Sequence, residues 1–588
     1  MNPCIQAPTN SASPHLLHIL YALQQQYRHI SAESINQVAA SLDLPVSQVA
    51  AVVEFYAFFS REPCGRYHLL LSNCTSCGYL AGDTNLLLAL SQRMGVNPGK
   101  TRADGLVSLG ETSCIGLCDQ GAALLVNSVP LVARDLDRVE QMAQLITTET
   151  PLAHWPDEWF CIQNRIPKPG LLLQHRWDAG AGLRAALLCG VTETLARIQQ
   201  SGLRGRGGAG FNTGTKWQSC LAAPGAAHYV ICNADEGEPG TFKDRVLLQH
   251  HADTMVEGMT LCAFVIGAEK GFVYLRGEYR YLLPHLQAVL AQRRQSGLLG
   301  ACILGQREFN FDIELVVGAG AYICGEESAL IESLEGKPGI PRVRPPFPVT
   351  QGYLGQPTVV NNVETFIAAA HIACRGSAWF AAVGTAASTG SKILSISGDC
   401  QSPGIYEYPF GVCVQQVLDD CGADQVQAVQ VGGPSGTLLG KDAFNRALGF
   451  EDLSTGGSFL IFGQQRDLLT VNRNFARFFA HESCGFCTPC RVGTQLLKNG
   501  LDKIIEGNAT PADVDEITRL GLLVNHRSHC GLGQTAANHL LQGLAHFPAA
   551  VTQRLTQADF TPQFDLDAAL EAARQITQRD DADAHLDN

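Results

Sequence analysis

Three cysteines within seven residues constrain this chain more than any other feature of its sequence. The segment HESCGFCTPCRVG places Cys484, Cys487 and Cys490 at two-residue spacing, and Cys530 follows about 40 positions later. Such gaps let consecutive thiolates face one small metal centre, and Gly485 eases the tight backbone. Four thiolates suit a [4Fe–4S] cluster or a tetrahedral zinc ion, and a redox dithiol is a further alternative. Because no fourth Cys with a following Pro comes soon after Cys490, the spacing favours one cluster with a remote fourth ligand.

The composition agrees with metal or redox chemistry in a cytoplasmic protein. The 588 residues include 21 cysteines, and the N-terminus lacks the basic and apolar regions of a secretion signal. A disulfide framework is therefore not expected. A net charge of −13 argues against nucleic-acid binding, and no apolar run reaches the length of about 18 residues that a membrane span needs.

The chain is too long for one hydrophobic core. Its helical and strand patterns predict an α/β multidomain fold. The first domain, 1–150, combines a helical segment with a small α/β unit, and 151–180 is predicted as a linker. The predicted domains that follow are α/β at 181–390, β-rich at 391–465 and helical at 466–560, with an acidic tail at 561–588.

A glycine-rich segment, SGLRGRGGAGFNTGTKW at 201–217, combines six glycines with three cations. Gly205, Gly207 and Gly210 match G-x-G-x-x-G, but a helical pattern precedes them where the dinucleotide fingerprint requires a strand. An ordinary Rossmann turn is therefore not expected, although a bare backbone can still bind phosphate. The alternative is a flexible surface loop.

Polar residues follow several predicted strands. A strand at 228–232 leads into NADEGEPGTFKDR, which places Asn233, Asp235, Glu236 and Glu238 at a strand end, where α/β folds bind ligands. Because carboxylates repel phosphate, these groups are expected to accept hydrogen bonds from ribose or ribityl hydroxyls. Two further segments, YICGEES and VNNVET, add polar residues: Tyr322, Glu326, Glu327, Asn361, Asn362 and Thr365. Each alone could be a solvated turn, but together with the glycine loop they suit FMN and a second nucleotide.

Residues 180–545 closely resemble the NADH-oxidising flavoprotein subunit of respiratory complex I and its soluble relatives. The resemblance rests on GLRGRGGAGF, NADEGEPGTFKDR, ICGEESAL, RPPFP, VNNVET and ESCGFCTPCRVG. It implies a Rossmann-like FMN and NAD(H) domain, a β-grasp domain and a helical iron–sulfur domain. The FMN residues it implies are Gly205, Arg206, Gly207, Gly208, Lys216, Asn233, Asp235, Tyr322, Asn361, Asn362 and Thr365. Those facing NAD(H) are Phe211, Glu238, Glu326, Glu327 and Phe347, with Phe347 stacking on adenine; Arg344 stands where the family often has Lys.

Residues 15–145 resemble the thioredoxin-like [2Fe–2S] subunit of the same machinery, on the segments QVAAVVEFYAFF and ETSCIGLCDQGAALLVN. Cys114 and Cys118 fit the family's second cysteine pair. The first pair departs from the family's C-x4-C, because Cys74 and Cys77 stand at C-x2-C and Ser72 occupies the place of the first ligand. We predict that Cys74, Cys77, Cys114 and Cys118 bind the cluster, with Ser72 ligation, loss of the cluster or a thioredoxin-type dithiol as alternatives.

The fusion of both modules most resembles the flavoprotein diaphorase subunits of soluble NAD-reducing [NiFe]-hydrogenases. The resemblance implies exchange of hydride between NAD(H) and FMN, and of single electrons through [4Fe–4S] and [2Fe–2S] clusters, with no catalytic protein acid or base. The implied partners are an iron–sulfur electron-transfer subunit and [NiFe]-hydrogenase subunits in a hetero-oligomer. Equivalent subunits of formate dehydrogenases, bifurcating hydrogenases or complex I-like enzymes are the alternative, as are a thiol–disulfide enzyme and a structural subunit without cofactors.

Overall fold

The structure is a computed structural model that describes residues 15–76, 86–133, 136–174, 177–556 and 566–580. Three helices come first: α1 (Leu16–Tyr27), α2 (Ala32–Leu42) and α3 (Val46–Phe55). They pack on the central part of the chain, where the Tyr21 hydroxyl donates to the Gly318 carbonyl at 2.7 Å and the Tyr56 hydroxyl donates to Ser333 Oγ at 2.7 Å. The helical segment is thus attached to a sheet that lies some 200 residues further along the chain.

A small α/β unit follows. Its elements are β1 (Tyr67–Ser72), α4 (Leu86–Met94), β2 (Lys100–Thr101), β3 (Val107–Thr112), β4 (Ala123–Val126), β5 (Val129–Val132) and α5 (Leu136–Thr147). The strand order is β2-β3-β1-β4-β5, and β1 runs parallel to β3 with Ser72 opposite Thr112. Because parallel strands end at the same edge, the cysteine segments that follow β1 and β3 leave the sheet side by side.

The segment predicted as a linker is packed rather than extended in solvent. It forms 3-10 helices at Leu152–His154 and Asp157–Trp159, and Trp155 and Trp159 are buried. Three main-chain N–H groups of residues 170–173 donate to the Glu407 carboxylate. This segment therefore contributes to the contacts between its neighbours.

The central domain is a parallel sheet covered by helices. Its elements are α6 (Ala181–Gln200), α7 (Thr213–Ala222), β6 (Tyr229–Ala234), α8 (Lys243–His250), α9 (Ala252–Ile266), β7 (Lys270–Leu275), α10 (Leu283–Gln295), β8 (Asp312–Val317), α11 (Glu327–Leu334), α12 (Pro348–Gln351), β9 (Thr358–Asn362), α13 (Val363–Arg375) and α14 (Ser377–Ala381). The order β8-β7-β6-β9 is parallel throughout, so all four strands end at one edge. The predicted helix before the glycine loop is α6.

The next domain is a mixed five-stranded sheet with one helix. Its elements are β10 (Ser391–Gly398), β11 (Gly404–Pro409), α15 (Val414–Asp420), β12 (Val426–Val431), β13 (Thr437–Gly440) and β14 (Ser458–Gly463). The order is β11-β10-β14-β12-β13, with β10 and β14 parallel and the other pairs antiparallel. The apolar face of α15 packs on this sheet, an arrangement that agrees with the implied β-grasp.

Helices complete the chain: α16 (Leu468–Glu482), α17 (Thr488–Ile505), α18 (Pro511–Arg527), α19 (Gly531–Thr535), α20 (Asn538–His546), α21 (Pro548–Thr552) and α22 (Leu566–Thr577). The last of these lies in the segment predicted as an acidic tail. Of the helices in the described ranges, none combines the length and the apolar run that a bilayer crossing requires.

Buried charges join the small α/β unit to the central domain. The Arg245 guanidinium donates to Asp119 at 3.0 Å, and both side chains are fully buried. It also donates to Asn164 Oδ1 at 2.8 Å in the connecting segment. Arg276, which follows β7, donates to the carbonyl of Cys114. The cysteine-bearing loop after β3 is therefore held directly against the carboxyl edge of the parallel sheet.

Candidate functional site

The carboxyl edge of the parallel sheet brings together most of the predicted cofactor residues. Asn233, the last residue but one of β6, lies opposite Asn362, which ends β9 and caps α13. The Asn233 amide donates to the Gly325 carbonyl at 2.8 Å, which ties β6 to the segment after β8. Three separated motifs thus meet at one edge, as ligand sites in open α/β sheets do.

The glycine loop lies over the start of α13. The Gly205 N–H donates to the Phe211 carbonyl at 2.8 Å, and the Arg206 N–H donates to Thr365 Oγ1 at 2.9 Å. Among the residues that the structure describes, this leaves the N–H groups of Gly207 and Gly208 without a partner in the chain. Gly208 has a φ of +125°, which only glycine adopts readily, so the loop turns where its amides are free.

Arg206 points away from this edge. Its guanidinium donates to the carbonyls of Arg204 at 2.9 Å and Thr389 at 2.8 Å, and lies 4.8 Å from the centre of the Phe410 ring. Burial lowers the pKa of Arg206 to about 10. Its side chain therefore fixes the loop to the following domain, and the role of Arg206 in binding the cofactor stays a prediction.

Lys216 is the cation that does face the strand ends. Asn212 caps α7 by accepting from Thr215 N at 2.8 Å, which places Lys216 in the first turn of that helix. Its ammonium donates to Glu327 at 2.8 Å and to the Val360 carbonyl at 3.0 Å. A helix N-terminus, a half-buried ammonium and free glycine amides together suit an anionic group such as phosphate.

The acidic residues divide into two roles. Asp235 Oδ2 is shielded from solvent and has no hydrogen-bond partner among the described residues, and desolvation raises the pKa of Asp235 well above its usual range. Such an unsatisfied group fits a ligand hydroxyl or amide. Glu236 instead accepts from the N–H of Asp244 at 2.8 Å and from the Tyr279 hydroxyl at 2.9 Å, and burial raises its pKa to about 7. Glu236 is structural.

Glu238 and Tyr322 form a pair at the same edge. The Tyr322 hydroxyl donates to Glu238, which also accepts from the N–H of Ser435 at 3.0 Å. Desolvation raises the pKa of both groups. The pair therefore links the central domain to the β-grasp domain.

Two of the predicted NAD(H) residues are exposed aromatic side chains. Phe211 and Phe347 are 56% and 50% exposed, which is unusual for Phe and leaves ring faces free for stacking. Glu326 caps α11 by accepting from Ser328 and Ala329 N–H groups at 3.0 Å, and Arg344 lies 3.3 Å from its other oxygen. Arg344, which stands where the family often has Lys, therefore still places a positive charge beside Glu326.

The two amide side chains at the end of β9 form hydrogen bonds within the protein. Asn361 Oδ1 accepts from Trp217 Nε1 at 3.0 Å, whereas Asn362 donates to Asp244 at 2.6 Å and accepts from Lys243 at 3.1 Å. Lys243 is fully buried and also contacts Glu364 at 3.2 Å. The sequence analysis did not predict this buried network beneath the glycine loop. The charged run TFKDR was the sequence feature that could have indicated it.

The four C-terminal cysteines lie where α16, α17 and α19 meet. Cys487 precedes α17, Cys490 lies in its first turn, and Cys530 precedes α19. Burial raises the pKa of Cys490 to about 12 and that of Cys530 to about 11, with the other cysteines of the group as further causes, so binding a metal would displace protons.

Within the described ranges, these four cysteines do not form a group whose sulfur atoms all lie within 4.8 Å of one another.

The N-terminal cysteines are closer together. The sulfur atoms of Cys74, Cys114 and Cys118 lie within 4.8 Å of one another, with 3.9 Å from Cys74 to Cys118 and 3.3 Å from Cys114 to Cys118. Cys77 lies outside the described residues. Ser72 Oγ donates to the Ser113 carbonyl at 3.3 Å. Three convergent buried thiols fit a [2Fe–2S] cluster.

Three sequence families match the chain in succession. The thioredoxin-like [2Fe–2S] ferredoxin family matches residues 4–148, the Nuo51 FMN-binding domain matches 198–371, and the NADH-ubiquinone oxidoreductase-F iron-sulfur binding region matches 470–554. These matches cover the small α/β unit, the parallel-sheet edge and the C-terminal cysteines.

Whole proteins are also similar. The NAD-reducing hydrogenase HoxS subunit alpha of Cupriavidus necator is 43% identical over 571 residues, which are 94% of each chain. The NADP-reducing hydrogenase subunit HndC of Solidesulfovibrio fructosivorans is 41% identical over 62% of this chain and 76% of its own. A chain in the crystal structure of an NAD+-reducing [NiFe]-hydrogenase in the H2-reduced state superposes with a TM-score of 0.88, at 42% identity, over 98% of this chain and 99% of that one.

The fold and the two cysteine groups define an iron–sulfur flavoprotein of the NADH oxidoreductase class. Within that class, the chain belongs to the family of alpha subunits of NAD-reducing hydrogenases. The predictions of the fold class, of an NAD(H)-dependent oxidoreductase, and of FMN with both cluster types are thereby confirmed. The individual ligand residues stay predictions.

Proposed function

We propose that this chain is the diaphorase subunit of a hetero-oligomeric [NiFe]-hydrogenase, exchanging electrons between NAD(H) and iron–sulfur partner subunits. The observation that carries the proposal is that the candidate flavin edge adjoins both cysteine groups. The Tyr322 ring packs on Phe478 at 4.9 Å, in the helix that leads to Cys484, and Arg276 joins the same edge to Cys114. Electrons can be passed only between centres held close together, and this edge provides that proximity.

The chain's own residues would bind and orient the cofactors. The Gly207 and Gly208 amides and the Lys216 ammonium would hold the FMN phosphate, while Asn233 and Asp235 would accept from its hydroxyls or ring. FMN, when bound, supplies hydride exchange with nicotinamide and single-electron exchange with iron–sulfur clusters. We assign no protein acid or base, because hydride transfer between cofactors needs none.

The nucleotide would occupy the more open side of the same edge. Phe211 and Phe347 would stack on its rings, and the carboxylates of Glu238, Glu326 and Glu327 would accept from ribose hydroxyls. A carboxylate in this position repels a 2′-phosphate, so we infer a preference for NAD over NADP.

The eight cysteines predicted as metal ligands would hold the two clusters. We assign Cys484, Cys487, Cys490 and Cys530 to [4Fe–4S], and Cys74, Cys77, Cys114 and Cys118 to [2Fe–2S]. Thiolates remain available as ligands in a reducing compartment, which supports a cytoplasmic location.

The whole-length similarity, 94% of each chain, supports a hydrogenase over the alternatives. The second candidate is the equivalent subunit of a formate dehydrogenase, a bifurcating hydrogenase or a complex I-like enzyme. Co-purification of the chain from its source with nickel-containing subunits supports the first candidate, whereas molybdenum in the complex supports a formate dehydrogenase.

The flavin assignment is tested with Lys216→Glu. The purified full chain should be yellow-brown and should reduce an artificial dye with NADH. Lys216→Glu places a carboxylate beside Glu327, where the ammonium now lies 2.8 Å away, and should lower the FMN content per chain at least tenfold. Lys441→Glu makes the same charge change at an exposed position and should leave FMN content unchanged. Full FMN content in Lys216→Glu contradicts the phosphate site.

A further inference from the structure

One face of α16 contacts all three candidate redox sites. Asn474, Phe478 and Glu482 stand four residues apart, so their side chains project from the same side of the helix; we name them the α16 contact face. The helix ends at Glu482, and Cys484 follows two residues later. This face is therefore rigidly connected to the C-terminal cysteine group.

Asn474 contacts the residues on both sides of Cys74. Its amide nitrogen donates to the Asn73 carbonyl at 3.0 Å, and its amide oxygen accepts from Thr75 Oγ1 at 2.9 Å. The donor and the acceptor of the Asn474 side chain therefore both form hydrogen bonds with the segment 73–75 of another domain. Packing alone does not require such bidentate contact with the residues that flank a metal ligand.

Glu482 joins the second half of the N-terminal cysteine group to the flavin edge. One carboxylate oxygen accepts from Ser113 Oγ, immediately before Cys114, and the other accepts from the Tyr322 N–H at 3.0 Å. The Tyr322 ring also packs on Phe478. Beyond the helix end, Ser483 Oγ lies 3.2 Å from Cys490 Sγ.

We propose that Asn474 and Glu482 are positioning residues, which set the place and the reduction potential of the N-terminal [2Fe–2S] cluster relative to the flavin and the [4Fe–4S] cluster. The inference rests on the proposed function and assigns to Asn474 and Glu482 a role that the proposed function does not include. A negative carboxylate next to a cluster ligand disfavours the added electron, because cluster potentials depend on local charge and hydrogen bonds. Glu482 therefore lowers the potential of this cluster while fixing its loop.

The test is a redox titration of the N-terminal cluster in the purified full chain, followed by electron paramagnetic resonance. Glu482→Gln should favour the reduced cluster about tenfold, an upward shift of about 59 mV for a one-electron couple. Arg477→Gln is the matched control. It removes an ion pair with Glu111 between the same helix and the same domain, yet touches neither Ser113 nor Tyr322, and should leave the potential unchanged.

Ser113→Ala is a milder change that tests the same contact. It removes one hydrogen bond to Glu482, and combined with Glu482→Gln it should shift the potential by less than the sum of the single shifts. Asn474→Ala should reduce the cluster signal or alter its line shape, since the Cys74 segment loses both contacts. Additive shifts, or equal potentials in Glu482→Gln and Arg477→Gln, overturn the inference. The reduction of a dye by NADH in the wild-type chain tests the proposed function separately. An inactive wild-type chain contradicts the proposed function, whereas an active one with unshifted potentials contradicts only the role of Asn474 and Glu482.

Discussion

Individual side chains at the flavin edge show how burial separates binding groups from structural ones. Lys392 contacts Glu364, and burial lowers its pKa to about 7 even though this pairing opposes the shift. Lys243 lies between Asp244 at 2.6 Å and Glu364, and these carboxylates raise its pKa despite burial. Charges neutralised in this way hold domains together and are not available to a cofactor.

At this scale the sequence predicts which motifs meet but not which atoms face the ligand. Arg206 and Lys216 are both cations of one glycine-rich segment, yet one is buried behind the loop and the other lies at the strand ends. The difference depends on Phe410 and Thr389, which come almost 200 residues later. Side-chain direction is set by such tertiary contacts, so motif spacing alone did not predict it.

His539 should make the protein sensitive to acid. The His539 ring is buried and stacked on Phe479. Burial lowers the pKa of His539 to about 3, whereas a His in an unfolded chain titrates near 6.5. Below about pH 6.5 the unfolded chain takes up a proton on His539 that the folded protein does not. The free energy of unfolding is therefore highest above about pH 6.5 and decreases as the pH falls toward 3. Between pH 7.5 and 5 this loss is about 2 kcal/mol. Denaturant unfolding at both pH values should show a smaller loss in His539→Phe, while exposed His154→Phe should match the wild type.

At the scale of elements, periodic patterns predict individual helices and strands. The predicted strand at 228–232 corresponds to β6, and the helical C-terminal region corresponds to α16 through α21. The Pro- and Trp-containing segment at 151–180 is predicted as a linker, yet Trp155 and Trp159 are buried there. Irregular segments can pack as tightly as regular ones, and periodicity does not reveal it.

The close approach of α17 and α18 should control occupancy of the [4Fe–4S] site. A Cβ added to Gly493 would lie 2.3 Å from Val524 Cγ2, so Gly493→Ala must push apart the helices that carry Cys490 and lead to Cys530. Overpacking of this kind costs about 1–3 kcal/mol. Iron per chain and melting temperature should both fall, and adding Val524→Ala should restore them.

Gly531→Ala is the control for this prediction. It stands next to Cys530, but an added Cβ there has no atom within 4 Å, so iron content should not change. If Gly493→Ala retains full iron, the helix crossing does not determine the cluster site.

For the whole molecule, the domain arrangement depends on contacts that no local pattern encodes. Arg245 is the last residue of the motif NADEGEPGTFKDR, and Asp119 follows the cysteine pair, but neither motif predicts their pairing across 126 positions. The similarity of each domain to a known family predicts the parts, whereas the buried pairs between domains specify their assembly.

Breaking the Arg245–Asp119 pair should release the small α/β unit. Asp119→Ala leaves a buried guanidinium without its carboxylate, which costs about 3–5 kcal/mol. Limited proteolysis should then cleave within the connecting segment at 151–174 much faster than in the wild type. Glu140→Gln removes an exposed pair with Arg93 in the same unit and should change the cleavage rate little. Equal protection of Asp119→Ala and wild type would show that other contacts hold the unit.

The glycine loop is closed from outside by residues that are synthesised late. Ser454 Oγ donates to the Gly208 carbonyl at 3.2 Å, and a Cβ on Gly456 would lie 3.2 Å from the Gly207 carbonyl oxygen. A nascent chain on the ribosome lacks this cover until some 250 residues beyond the loop have emerged. We therefore expect FMN to be captured late in biogenesis, and chains terminated before residue 454 should contain no FMN.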